Sequence, residues 1–242
     1  MSERSALTFT PEPKIIHEDK HLLVLNKPSG IHSVRQKKSP HFSVAQWLIE
    51  RNLEIEGVGK PGDAGLVQRL DFDTSGLLIA AKSNSIWEAI HAAIMKGEVL
   101  KYYYCLIEGL LEEKNIFVDS FIGSPYRRGT KVKVYKTNPG KPHRALAAKT
   151  KFSFISSNQK SKISLLKVEA STARRHQIRA HAAAIGHPLI GDSLYGSSSD
   201  LDGYAGGFYL QASFLSFKHP ASGERLELEL QIPTEIEKII AA

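Results

Sequence analysis

The sequence has little of several things. It has one cysteine, Cys105, in 242 residues. That excludes an intrachain disulfide and any zinc cage built on thiolates. No stretch approaches the ~18 consecutive apolar residues of a membrane-spanning helix. The first residues, MSERSALTFTPEPK, lack the apolar run of a secretory leader and are broken by Pro11 and Pro13. No glycine-rich phosphate loop is present: GLVQRL and GSPYRRGTK fit neither the nucleotide nor the dinucleotide pattern. Ser75 has no nucleophile-elbow context. The ten histidines show no ligand spacing. His176 and His181 are separated by about 140° on a helical wheel, so they do not form a chelating pair. No metal site is expected.

What is present is an ordinary globular composition, 42% hydrophobic and 24% charged. The length suits one large domain or two small ones. Lys plus Arg exceed Asp plus Glu by 7, an excess that favours a polyanionic partner such as nucleic acid. Residues 1–14 read as a flexible surface arm. Apolar structure is expected to begin with a buried strand at 22–25, stopped by Pro28 and Gly30. Helices are predicted over 42–52, from Ser83 or Ser85 to Gly97, over 174–186, and over TEIEKIIA at the C-terminus. Strands are predicted at 77–83, 100–109, 116–122, 131–136, 146–155, 162–169, 210–217 and 225–231. Many strands, few helices and no regular alternation imply an α+β fold with a mostly antiparallel sheet.

Three segments carry candidate chemistry. In QRLDFDTSGLLIAAK (68–82), Asp71 stands at a loop-to-strand junction, where a carboxylate can be held rigidly and still reach a cleft. Arg69 and Asp73 flank it at i±2; a bare turn with Asp71 as its cap has the same pattern. In ASTARRHQIRAHAAAIGHPLIGDSLYG (170–196), a helix from 174 would place Arg175 and Arg179 side by side as a site for carboxylate or phosphate, or as a solvated basic face. In Lys101-Tyr102-Tyr103-Tyr104, one tyrosine suits either a core or a stacking role. Cys105 reads as packing. A pair of carboxylates, Asp71 and Asp73, also fits a glycoside hydrolase.

Taken together, these segments resemble the RluA-type pseudouridine synthases. QRLDFDTSGLLIAAK is similar to the signature HRLDxxTSGLLL. KYYYCLIEG resembles that family's Lys-x-Tyr strand, and TARRHQIRAHAAAIGHPLIGDSLYG its TGRTHQIRVHLAxxGHPIxGDxxYG segment. HLLVLNKPSGIHS and FYLQASFLSFKHPASGE match the NKPxG strand and the closing strand with its HPxTGE turn. The likeness runs in order from about residue 14 to 232. It implies a single catalytic domain over 15–242, with an antiparallel sheet split by a cleft and flanked by helices. It implies isomerisation of uridine to pseudouridine in RNA (transfer or ribosomal), without cofactor. Asp71 takes the place of the catalytic aspartate, Tyr103 of the active-site tyrosine and Arg179 of the basic residue beside the aspartate. Arg69 matches an arginine that takes part in base flipping. Gln68, Ala173 and Arg175 depart from the pattern without removing a catalytic side chain. The stretch before residue 21 is too short for the RNA-binding domain that some members carry. RNA is therefore expected on basic loops 33–41 and 124–144 and on Arg69, Arg127, Arg128, Lys131, Arg144, Arg174 and Arg175. A monomer in the cytoplasm is expected. A non-catalytic RNA-binding protein with the same fold is the rival reading, and the presence of Asp71, Tyr103 and Arg179 counts against it.

Overall fold

The computed structural model describes residues 12–36, 39, 41–51, 55–124, 126, 129–141, 144–170, 172–198 and 207–242. The first strand, β1 (Lys14–Glu18), pairs antiparallel with β2 (Leu22–Lys27). β1 lies before the point where apolar structure was expected to begin. Its residues are almost all exposed, so backbone pairing at a sheet edge makes it a strand, and no buried alternation marks it in the sequence. A short helix α1 (Val44–Arg51) follows, then β3 (Ser75–Ala81), α2 (Asn84–Lys96) and β4 (Leu100–Glu108). Next come β5 (Asn115–Gly123), β6 (Lys133–Tyr135), β7 (Leu146–Asn158) and β8 (Ile163–Ala170). The chain closes with α3 (Gln177–Ala184), β9 (Leu210–Lys218), β10 (Arg225–Glu229) and α4 (Thr234–Ala241).

The ten strands among the described residues form one open sheet in the order β1-β2-β3-β9-β4-β8-β7-β5-β6, with β10 also on β9. Every pairing is antiparallel except β3 with β9. That parallel contact spans only Ser75–Gly76 against Gln211–Ala212, after which β9 gives its edge to β10. The sheet therefore forks at this point. Gly76 makes the junction possible. It has φ +109°, and a Cβ there would run into the Ala212 backbone.

Each half of the sheet has its own core. Leu22–Leu25 and Leu77–Ala81 are buried on both faces, which explains their unbroken apolar runs. α1 and α2 cover them with Val44, Trp47, Leu48, Ile86 and Ile90. The Ser83 side chain caps α2, and Gly97 closes it in the left-handed conformation, where backbone N–H groups return to Ala93 and Ile94. In the other half, Ile178 and Ala182 of α3 pack on Cys105, Phe152, Leu166 and Val168. α4 covers the opposite face with Ile236 against Leu106, Leu165 and Tyr209. No helix among the described residues is long and apolar enough to cross a membrane.

Candidate active site

Asp71 sits in the loop just ahead of β3, near the fork of the sheet. The turn after β2 clamps this loop from behind. Ser33 Oγ donates to the Leu70 carbonyl (2.8 Å) and accepts from the Leu70 N–H (2.9 Å). Ser29 Oγ donates to the Asp73 carbonyl (2.8 Å), and Gly30 N–H to the Phe72 carbonyl (3.1 Å). Lys27, wholly buried, donates its ammonium to the carbonyls of Pro28, Ile31 and Phe72 at 2.8, 2.8 and 3.0 Å. Burial pulls Lys27 down to about 7, against the attraction of Asp73 and Asp71. The NKPSGIHS segment is thus the mould that shapes the Asp71 loop.

The opposite wall comes from α3. Gln177 seats the start of this helix on β7: its Nε2 donates to the Lys149 carbonyl (2.9 Å) and Thr150 Oγ1 (3.0 Å). Its Oε1 accepts from Arg174 N–H (3.1 Å) and Thr172 Oγ1 (2.8 Å). His176 precedes the helix with φ +52°, so Arg175 lies outside the helix. The expected side-by-side pair of Arg175 and Arg179 on one helical flank is therefore not formed. Arg175 instead reaches the carbonyls of Gly129 and Thr130, and it props the loop before β6.

Arg179, only 8% exposed, faces Asp71 with Nη1 at 3.6 Å from Oδ2. A second carboxylate fixes it. Nε donates to Asp192 Oδ2 (2.6 Å) and Nη2 to Asp192 Oδ1 (2.8 Å), a bidentate pair in which Asp192 is 1% exposed. Burial alone would lower the Arg179 pKa. The hydrogen bonds and charge of Asp192, then the charge of Asp71, outweigh it and hold the guanidinium above its ordinary value. The Arg179 guanidinium also lies 4.5 Å from the Phe208 ring centre and 5.1 Å from that of Tyr195. Asp73 stands nearby, and burial raises its pKa against the pull of Arg179 and Lys27.

Tyr103 comes to the same place from β4. It borders the cluster beneath α3, whereas Tyr104 borders the α4 cluster on the other face. Burial, reinforced by the Asp71 charge, pushes the Tyr103 phenol up to about 12. It is protonated at neutral pH, which suits a stacking face better than a ready base. Cys105 is wholly buried and its thiol is pushed up by burial, so it is packing.

The structure therefore brings Asp71, Arg179 and Tyr103 together from three segments far apart in the chain. Arg69 is exposed beside Asp71, and Arg144 is exposed in the loop before β7. Arg174 is half-buried, and its Nε donates to the Ala147 carbonyl (3.0 Å). Lys131 is exposed, with Nζ 5.0 Å from the centre of the Tyr195 ring. Arg127 and Arg128 lie outside the described residues, as do parts of loop 33–41. Sequence reasoning missed Lys27, His176, Asp192 and Tyr195. Their signal lay inside the quoted NKP, RHQIR and GDSLYG motifs, but nothing local showed what each would touch.

The sequence model of the family described as RNA pseudouridylate synthase matches residues 21–184. The chain belongs to this family. It is 32% identical over 242 residues to the uncharacterized RNA pseudouridine synthase YhcT of Bacillus subtilis, covering 99% of this chain and 76% of that one. It is 31% identical over 232 residues to ribosomal large subunit pseudouridine synthase C of Vibrio cholerae, covering 93% and 68%. Human RNA pseudouridylate synthase domain containing 1 superposes with a TM-score of 0.72 over 92% of this chain and 84% of that one, at 23% identity, which shows the shared fold. The α+β class and the cleft-forming, mostly antiparallel sheet expected from the sequence are those of the family, and the chain is an isomerase of the RluA type.

Proposed function

We propose that this enzyme converts specific uridines of structured transfer or ribosomal RNA to pseudouridine, with Asp71 as the catalytic carboxylate and no cofactor. The observation that carries the reading is the single Arg179 guanidinium shared between buried Asp192 and the more exposed Asp71. One acid is spent on holding the arginine. The other is left partly exposed, with its Oδ2 3.6 Å from the guanidinium.

The reaction breaks the bond between uracil N1 and the sugar, turns the base and rejoins it through C5, with loss of the C5 proton and gain of one at N1. An ionised Asp71 can attack the sugar carbon or take a sugar proton. The detached uracil must stay captive while it turns. Tyr103 offers it a flat face on which to stack. A uridine inside a helix must first leave the stack, and in this reading exposed Arg69 fills the space behind it. Lys131, Arg144, Arg174 and Arg175, with Arg127 and Arg128, supply positive charge for phosphates. In this reading the enzyme acts as a monomer in the cytoplasm.

The test is chemical mapping of pseudouridine in transfer and ribosomal RNA incubated with the protein. Wild type should modify defined positions. Asp71→Asn keeps the shape, removes the reacting carboxylate, and should bind RNA without turnover. Pseudouridine made by a clean Asp71→Asn preparation would overturn the assignment.

A further inference from the structure

Behind Asp71 stands a second chain of contacts that the Arg179 pair does not use. The Val132 N–H donates to the Tyr195 hydroxyl oxygen (3.0 Å). The same hydroxyl lies 3.0 Å from His176 Nδ1. On the far side of the ring, His176 Nε2 is 3.9 Å from Asp71 Oδ2. Tyr195 is 6% exposed, and the His176 side chain is 14% exposed. His176 holds φ +52° at a non-glycine position, a conformation that persists only where surroundings enforce it.

Proton counting fixes the direction of the chain. Tyr195 oxygen already accepts from Val132. If His176 Nδ1 carried a proton and also donated to it, the buried Tyr195 proton would face no acceptor among the described residues, an arrangement that costs free energy. The consistent arrangement has Tyr195 O–H donating to an unprotonated Nδ1. A neutral imidazole then has its one proton on Nε2, aimed at the Asp71 carboxylate. Burial, with the charges of Arg179 and Arg175, keeps His176 below its ordinary value against the opposing pull of Asp71 and Asp192, in the same direction as the neutral ring that the hydrogen bonds require.

Resting on the proposed function of Asp71, we propose that His176, locked by Tyr195 as its Nε2–H tautomer, is a positioning residue that presents Asp71 to the uridine. Both neighbours of Asp71, Arg179 Nη1 and His176 Nε2, approach the same oxygen, Oδ2. Neither ion pair uses Oδ1, which in this arrangement is left for the uridine. The distance of 3.9 Å is beyond a hydrogen bond, and catalytic contacts are often this long before substrate is bound. The chain also begins at Val132, next to Lys131 and to the Gly129 and Thr130 carbonyls held by Arg175. RNA that settles on this loop is thus connected to the orientation of the reacting carboxylate.

The tautomer can be read without turnover. In protein labelled with 15N-histidine, the His176 signals are identified by their loss in His176→Gln. A pyridine-type Nδ1 and a pyrrole-type Nε2 are expected, and the reverse pattern overturns the proposal. In kinetics, Tyr195→Phe removes the lock and should lower kcat between about 10- and 100-fold while KM for RNA changes less than about twofold. It also frees Nδ1 to take a proton, so the acid limb of the kcat profile should move up in pH. His176→Gln keeps an N–H donor towards Asp71 and should retain more turnover than His176→Ala. Unchanged kcat and pH profile in Tyr195→Phe overturn the proposal. Absence of turnover by wild type on every RNA is a different failure, that of the proposed function itself.

Discussion

At the scale of single residues, the site depends on how carboxylates divide one guanidinium. Asp192 and Asp71 are both anionic neighbours of Arg179, yet Asp192 is 1% exposed and Asp71 keeps 31% of its side-chain surface. Burying the arginine is tolerable only because Asp192 takes two of its N–H groups. Asp192→Asn removes the charge partner and leaves a cation in a desolvated place. The expected cost is roughly 3–5 kcal/mol of stability, read from the denaturant midpoint. The freed guanidinium should then swing onto Asp71 and slow turnover of the remaining folded enzyme. Asp192→Asn with wild-type stability and turnover would show that Arg179 is positioned by something else. Lys27 follows the same rule in a different form, since three carbonyls rather than an acid receive its ammonium. Its role is to fix the backbone on which Asp71 stands, and Asp71 and Asp73 supply only the long-range attraction.

At the scale of elements, α3 is held as much by polar contacts as by its apolar stripe. His181 is wholly buried, with Nε2 2.9 Å from Ser120 Oγ and Nδ1 2.8 Å from Thr150 Oγ1. Burial lowers it to about 4, against a weaker pull from Asp119. The native state therefore prefers the neutral ring. Its contribution to stability is complete above pH 6.5 and is lost as pH falls from there towards 4, about 2 kcal/mol of it between pH 7 and 5. Urea titrations of wild type and His181→Gln at both pH values measure this. The gap between the two proteins should shrink on acidification, and parallel losses would refute the assignment. Most elements were legible because their signals are local: buried runs in β2 and β3, caps at Ser83 and Gly97, aromatic and β-branched residues in β4. α3 starts later than its sequence suggests because the Gln177 side chain takes the Arg174 N–H and His176 turns left-handed. The parallel step of β3 onto β9 joins Ser75 to Gln211, and no local pattern announces so distant a pairing. In the site, Asp71, Tyr103 and Arg179 were legible through motif resemblance. Asp192 and His176 were not given roles, because these depend on burial and on which side chain faces them.

At the scale of the whole molecule, exposed Arg69, Lys131 and Arg144 stand on the loops ahead of β3, β6 and β7. An excess of +7 is modest, so RNA affinity should come from local contacts and fall with salt, with a log–log slope of about −0.7 per phosphate neutralised on single strands. Arg144→Ala and Lys131→Ala should each flatten that slope by about 0.7 if each side chain meets one phosphate. Arg175 differs because the carbonyls of Gly129 and Thr130 already occupy its guanidinium. Arg69 differs again, because it is exposed immediately before Leu70, whose backbone is pinned by Ser33. A side chain on so fixed a loop can enter a stack without moving Asp71. Arg69→Ala should therefore reduce turnover on a folded stem-loop by about tenfold, equivalent to about 1.4 kcal/mol. On an unstructured strand of the same local sequence the loss should be much smaller, since that uridine is already free of its stack. Both substrates are to be compared at one salt concentration, so that phosphate contacts contribute equally. An equal loss on the two would make Arg69 a phosphate ligand and end its assignment to base flipping.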